Sequence, residues 1–494
     1  MTSQLSADCL NEIFEYLEID KITLRSCLLV NRLWCQVAVR ILWRDVWSFH
    51  YNLLYYCPYR THVPLAILST LISCLPEESK NLLHNNGIII QTPTSNSPLF
   101  NYASFCKILS IRKIDLIIQH VLENQQYIRS LNYNKYLISQ ELFKMFMKQI
   151  SSLKFLNYDL GYSKTVQKIP FTYFPGAKEC LMDLTIFSCN SDIRSEFFYQ
   201  LSQICHNIKT LTITFKKKVS NGLKELISLQ NNLKNLKLLS YEEKDWMDII
   251  PALKNHNNTL TKLHLHSIKD NLPLSFISSF LNLQEIKFSF YDGSNFEDFK
   301  NLQFSFFPNL KILKIPCQCP KPEYVIKFLE NNGKNLKEFY TDEKNNNLSF
   351  SIAKFCPNLK KLFILFNNDE LNILKNIFNN CQYLESINIW CGINFLNEKE
   401  MLKIVAIHSP KNFYELKIFN DSQSELIPED LENFFICWDN RIPKKSLSII
   451  ITYEKNSLCT NEENMKIIEK YKNLGIIKKF DIIEDDDDEE ESII

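Results

Sequence analysis

Leu233-Lys234-Asn235-Leu236-Lys237-Leu238 is a short phrase: an apolar anchor, two variable residues, an apolar residue, a variable one and a second apolar one. It returns along the chain as Ile208-Lys-Thr-Leu211-Thr-Ile213, Leu260-Thr-Lys-Leu263-His-Leu265, Leu283-Gln-Glu-Ile286-Lys-Phe288 and Leu310-Lys-Ile-Leu313-Lys-Ile315. Later copies are Leu359-Lys-Lys-Leu362-Phe-Ile364, Leu384-Glu-Ser-Ile387-Asn-Ile389 and Phe413-Tyr-Glu-Leu416-Lys-Ile418, with weaker ones at Ile128, Leu153, Leu181 and Leu336. The steps between anchors run from 23 to 29 residues. A single copy carries no weight, but near-regular recurrence over some three hundred residues is the mark of a repeat array.

Leu236 and Leu238 lie two apart, so on a strand both point to one side. Between the phrases the spacing changes to that of a helix, as in Phe197-Phe198-x-x-Leu201-x-x-Ile204 and Leu371-x-x-Leu374-x-x-Ile377-Phe378. Each unit therefore reads as a strand followed by a helix. Asn precedes the anchor at 207, 232, 282, 309, 335, 358 and 412. Asparagine tolerates the left-handed backbone at a helix end, which suggests a turn back into the strand. The pattern resembles the leucine-rich repeat, and Cys205-His-Asn-Ile and Cys356-Pro-Asn-Leu resemble its cysteine-containing subtype. The resemblance implies an α/β solenoid of about twelve repeats over residues 126–455, with parallel strands on the concave side and helices on the convex side.

Residues 5–47 have a different rhythm. Leu10, Ile13, Phe14 and Leu17 share a helical face, with Ser6 placed to cap and Asp8 in the first turn. Asp20 and Thr23 open a second helix with Leu24 and Cys27, and Asn31 to Leu42 form a third. So small a module carries more apolar surface than it can bury alone, which suggests a docking face. The run Leu5, Ile13-Phe14-x-x-Leu17, Leu28-Leu29-Val30-Asn31-Arg32-Leu33-Trp34 and Leu42-Trp43 resembles an F-box, with Ser6 where that family usually has Pro. The resemblance implies a three-helix F-box over 1–48 that binds the Skp adaptor and, through it, the cullin and RING subunits of a ubiquitin ligase. By the same resemblance Leu5, Leu10, Ile13, Phe14, Leu17, Leu24, Val30 and Trp34 supply the adaptor contacts.

Residues 49–125 read as a helical connecting region with a loop at Thr92–Pro98, 456–480 as a C-terminal helix or cap, and 481–494 as an acidic, disordered tail. The chain has 494 residues, 45% hydrophobic and 23% charged, which is ordinary globular composition. Its net charge is 0; without the eight consecutive acids from Glu484 to Glu491 the surplus is a mild +8, so no dedicated nucleic-acid surface is expected. The start of the chain lacks a basic, then apolar, leader, and no apolar run is long enough to span a membrane. The sixteen cysteines are accordingly read as reduced thiols in the cytoplasm or nucleus. Eight glycines are few for a large doubly wound nucleotide enzyme. Phosphate-loop, dinucleotide, His-Glu-x-x-His and Gly-x-Ser-x-Gly motifs are missing from the sequence, so neither catalysis nor a cofactor is expected.

On the strand phrases the variable positions face the concave side, where solenoids hold partners. Lys237, His264, His266, Lys287 and Lys314 form a basic strip there, followed by Tyr340, Phe363, Trp390 and Phe419. These nine are the candidate substrate contacts, suited to an acidic or phosphorylated segment at one end and an apolar anchor at the other. His264 and His266 lack a third metal ligand nearby, Cys317 and Cys319 read as loop thiols, and the adjacent Cys205 and His206 cannot face each other on a helix. The expectation is a non-catalytic substrate receptor of a ubiquitin ligase, binding an unknown protein. The alternative is a scaffold or sensor that binds a partner without ubiquitin transfer.

Overall fold

The computed structural model describes residues 5–47, 62–90, 98–124, 130–159, 169–241, 245–268, 272–291, 296–452 and 454–483. The chain divides into two compact units, residues 1–236 with 251–255, and residues 237–250 with 256–494.

The first unit begins with three helices, α1 (Ala7–Glu15), α2 (Lys21–Cys27) and α3 (Arg32–Arg44). Each starts on a side-chain cap: Ser6 accepts from the Cys9 N–H, Asp20 from Thr23 and Asn31 from Trp34. Their apolar stripes meet in a core of Leu10, Phe14, Leu24, Cys27, Val37, Ala38, Ile41 and Leu42. The end of α3 is fastened to α1 by Arg44, whose guanidinium forks onto both oxygens of Glu15 at 2.7 Å and reaches Glu18 at 3.1 Å. Beyond α3, the Trp47 indole N–H donates to the Ile108 carbonyl and the Lys107 N–H donates to the Arg44 carbonyl. These bonds join the helical module to the first strand.

Four parallel strands follow in chain order: β1 (Ile108–Ser110), β2 (Phe155–Tyr158), β3 (Ile186–Asn190) and β4 (Thr210–Phe215). Leu109, Leu156, Phe187 and Leu211 align across them and are fully buried. The strand series thus starts earlier than the repeated phrase suggested. Ile128 lies outside the described residues, and Leu131 opens a helix, Leu131–Gln149. Its apolar residues Ile138, Leu142, Phe143 and Phe146 recur at helical spacing, which overrides the short strand-like match. Leu181 ends the short helix Ala177–Leu181; the phrase that forms β3 starts three residues later, at Leu184.

β5 (Asn235–Ser240) carries the Leu236 phrase. In the second unit nine parallel strands again follow chain order: β6 (Lys262–Ser267), β7 (Glu285–Phe290), β8 (Ile312–Ile315), β9 (Glu338–Thr341), β10 (Lys361–Ile364), β11 (Ser386–Cys391), β12 (Glu415–Asn420), β13 (Leu447–Thr452) and β14 (Ile477–Ile483). Leu263, Ile286, Leu313, Phe339, Leu362, Ile387, Leu416 and Ile449 form one continuous buried row. Helices of ten to twelve residues return the chain between β8 and β14, for example Leu371–Asn380 and Glu398–His408. Between β6 and β8 the returns are a 3-10 turn, Ser275–Ser279, and a four-residue helix, Phe299–Leu302. This is an α/β leucine-rich-repeat solenoid: parallel strands in chain order, one buried apolar row, helices or single turns between them.

Two details differ from the sequence reading. Cys317 is the one non-glycine at positive φ among the described residues, so the asparagines before the anchors do not turn the chain through the left-handed region. Three of them bind a carbonyl of the preceding repeat instead: Asn282 Nδ2 donates to the Asn258 carbonyl at 2.7 Å, Asn335 to that of Pro308 at 3.0 Å and Asn358 to that of Lys334 at 2.9 Å. Likewise the sheet extends beyond residue 455. After the helix Glu462–Asn473, Gly475 takes φ +74°, a helix-ending conformation that glycine adopts without strain, and the chain enters β14 beside β13. Residues 477–483, expected as cap and tail, are therefore a strand; the acidic run from Glu484 lies outside the described residues.

Candidate functional site

Two surfaces are candidates. On the N-terminal module, packing divides the eight expected contact residues. Leu10, Phe14 and Leu24 are core, at most 2% exposed, and are not available to a partner. Leu17 and Trp34 are half-buried against that core, with the Trp34 ring meeting Phe14 edge-on at 5.1 Å. Leu5, Ile13 and Val30 are exposed. So are Tyr16, Ile19, Ile22 and Leu29, at 79–96%, which the sequence reading did not single out. Their signal was phase: Ile13 and Tyr16 flank the Leu10–Phe14–Leu17 stripe, Ile22 is out of step with Leu24 and Cys27, and Leu29 follows the end of α2. Between Ile13 and Val30 the module thus shows six exposed large apolar side chains while its own core is complete, an unusual display for a soluble surface.

The second surface is the sheet face opposite the buried row in β6–β14. Strand register arranges it in rows. The first row sets lysines beside acids: Lys262 pairs with Glu285 at 2.8 Å, Lys361 with Glu338 at 3.5 Å, and Ser386 donates to Glu415 at 2.7 Å. The second row reads His264, Lys287, Lys314, Tyr340, Phe363, Asn388, Lys417, strand by strand. The third holds His266 and Ser289 on β6 and β7, and Trp390 and Phe419 on β11 and β12. Lys237 takes the matching second-row position of the β5 phrase.

Seven of the nine sequence candidates are partly exposed on this face; Lys287 and Phe363 are not. Both are only 5% exposed, because neighbours in the row cover them: His264 and Lys314 flank Lys287, and Tyr340 stacks on Phe363 at 4.1 Å. The His264 ring meets the Ser289 hydroxyl at 3.0 Å. Burial first, and then the cations of Lys287, Lys237 and Lys314, push its pKa down to about 2, so the imidazole is neutral. Those cations also oppose any metal ion there. His266 lies between Tyr241, 4.7 Å away, and Tyr291, 5.4 Å away. Trp390 packs against Phe419 at 4.2 Å and Phe395 at 5.1 Å, and the Lys344 ammonium sits 4.6 Å above the Phe395 ring. Tyr241, Tyr291 and Phe395 escaped the sequence reading because they lie just past strand ends, outside the repeated phrase.

Of the cysteines singled out earlier, Cys205 and Cys319 are packing groups. The Cys205 thiol donates to the Leu181 carbonyl and burial pushes it up to about 12, far from a reactive thiolate. Cys319 is likewise pushed up to about 12 by burial, and the Thr341 hydroxyl donates to its sulfur. Among the described residues no three His, Cys, Asp or Glu side chains are grouped to hold a metal ion, and no helix is long and apolar enough to cross a membrane.

No protein-family model matches this chain, and neither does any curated protein. Among solved structures it is similar to the yeast complex of Rad7 and Elc1, at 13% identity and TM-score 0.34, over 70% of this chain and 90% of that one. It is also similar to a leucine-rich-repeat protein of Leptospira interrogans, at 15% identity and TM-score 0.32, over 63% and 74% of the respective chains. The fold assignment rests on the strand ladder and repeat phrase, and it defines the class: a leucine-rich-repeat protein with an N-terminal three-helix module.

Proposed function

We propose that this chain is the client receptor of a ubiquitin ligase of the Skp–cullin–F-box kind. The N-terminal module docks on the Skp adaptor, which links it to the cullin and RING subunits, and the open sheet face holds a protein client for ubiquitin-dependent degradation. The observation that supports this most is the set Ile13, Tyr16, Ile19, Ile22, Leu29 and Val30, exposed on a module whose core is already closed and whose sequence resembles an F-box. Apolar side chains so presented gain most by burial against a partner, at roughly 25 cal/mol per Å². The chain supplies no acid, base or nucleophile in this reading. Its contribution is proximity, holding client lysines near the charged enzyme. It acts in the cytoplasm or nucleus, where its thiols stay reduced.

Co-expression with the Skp adaptor, cullin and RING subunits tests the proposal. A stoichiometric complex that modifies lysines of a bound client is expected. A chain that binds clients yet purifies alone, whatever adaptor is supplied, points instead to a scaffold without ubiquitin transfer.

A further inference from the structure

The sheet face treats its charges unevenly. In the first row each lysine sits beside an acid, Lys262 with Glu285 and Lys361 with Glu338. In the second row Lys314 on β8 and Lys417 on β12 face no carboxylate within 4 Å among the described residues, and both are partly exposed. Between them, on consecutive strands, lie Tyr340, Phe363 and Asn388. Tyr340 and Phe363 form a flat slab with ring centroids 4.1 Å apart and planes 20° apart. Trp390 and Phe419, two residues further along β11 and β12, add a second aromatic pair beside Lys417.

We propose that this stretch of β8–β12 binds an extended acidic peptide lying across the strands, with one anionic side chain on Lys314, a second on Lys417 and an aromatic side chain on the partly exposed Tyr340 ring, which the buried Phe363 backs. The geometry sets the spacing. Neighbouring strands are about 4.8 Å apart, so four steps from β8 to β12 cover roughly 19 Å. An extended peptide advances about 3.3–3.6 Å per residue, which places the two anions about five or six positions apart with the aromatic residue between. The lysines set orientation and speed encounter, while the slab supplies the buried anchor. The proposal rests on reading this sheet face as the client surface. It adds the chemistry of the client: acidic residues, as carboxylates or phosphoserines, bracketing an aromatic one.

The test uses the full chain and fluorescent Gly/Ser peptides carrying Glu at both ends of that spacing and Phe between, beside versions with phosphoserine for Glu, Lys for Glu, and Gly for Phe. The acidic, Phe-bearing peptides are expected to bind, with an affinity that falls as salt is raised. The Lys and Gly versions are expected to be at least tenfold weaker. Whether Glu or phosphoserine binds better tells which anion the face prefers. Lys314→Glu with Lys417→Glu is expected to lower the affinity at least tenfold while adaptor capture is unchanged. Ile13→Asp with Leu29→Asp has the reverse effect, so failure of the peptide site and failure of adaptor docking are read separately. No binding by the acidic peptides, or binding indifferent to the lysine substitutions, overturns the proposal. Binding that appears only after residues 484–494 are removed also overturns it, and assigns the face to the chain's own acidic run.

Discussion

Leu10 and Ile13 lie on the same short helix and have opposite consequences. Leu10 is 1% exposed in the module core, whereas Ile13 is 48% exposed. Leu10→Ala is expected to destabilise the module by about 2–5 kcal/mol in urea unfolding, through lost burial and the cavity left behind. Ile13→Asp is expected to change stability by less than about 0.5 kcal/mol and to act on docking alone. His264 gives a pH signature. A free imidazole takes up its proton near pH 6.5, whereas that of His264 does so only at about 2. Between those values the unfolded chain binds a proton that the folded chain excludes, so stability falls as pH drops below about 6.5. The slope contributed by this residue is at most about 1.4 kcal/mol per pH unit. His264→Gln is expected to flatten that part of a stability–pH profile, and an unchanged slope contradicts the neutral, buried ring.

At the scale of elements, repeats are joined by strand hydrogen bonds and by the asparagine contacts from one turn to the carbonyls of the last. Asn358→Ala, which removes the bond to Lys334, is expected to cost about 0.5–1.5 kcal/mol by thermal unfolding. Gly475→Ala is expected to cost about 1 kcal/mol although nothing lies within 4 Å of the added carbon, because φ +74° strains any residue with a side chain. The repeat was legible because Leu236 and Leu238, and their counterparts, must all point into one buried row. β14 was not: Ile477-Lys-Lys-Phe-Asp-Ile-Ile lacks the anchor phrase, and only its pairing with β13 makes it a strand. The weak match that begins at Ile128 runs into a helix at Leu131, because two apolar residues three positions apart suit a helix as well as a strand phrase. On the module, Leu10 and Ile13 both fit an apolar helix face, and only the packing of α3 decides which one is covered. The exposed face of α1–α2 therefore had to come from the structure.

For the whole molecule, the two surfaces belong to different compact units, α1–α3 to the first and β6–β14 to the second. Adaptor docking and client binding are thus expected to be separable by substitution, each lost without the other. The exposed apolar face of the N-terminal module is expected to bind the Skp adaptor. Titration calorimetry of the purified full chain with a Skp adaptor tests it most directly, alongside the Ile13→Asp, Leu29→Asp variant checked for an unchanged melting temperature. A one-to-one complex with negative heat-capacity change, weakened at least a hundredfold in the variant, is the predicted result. No measurable association of the native chain, or equal affinity of the folded variant, contradicts it.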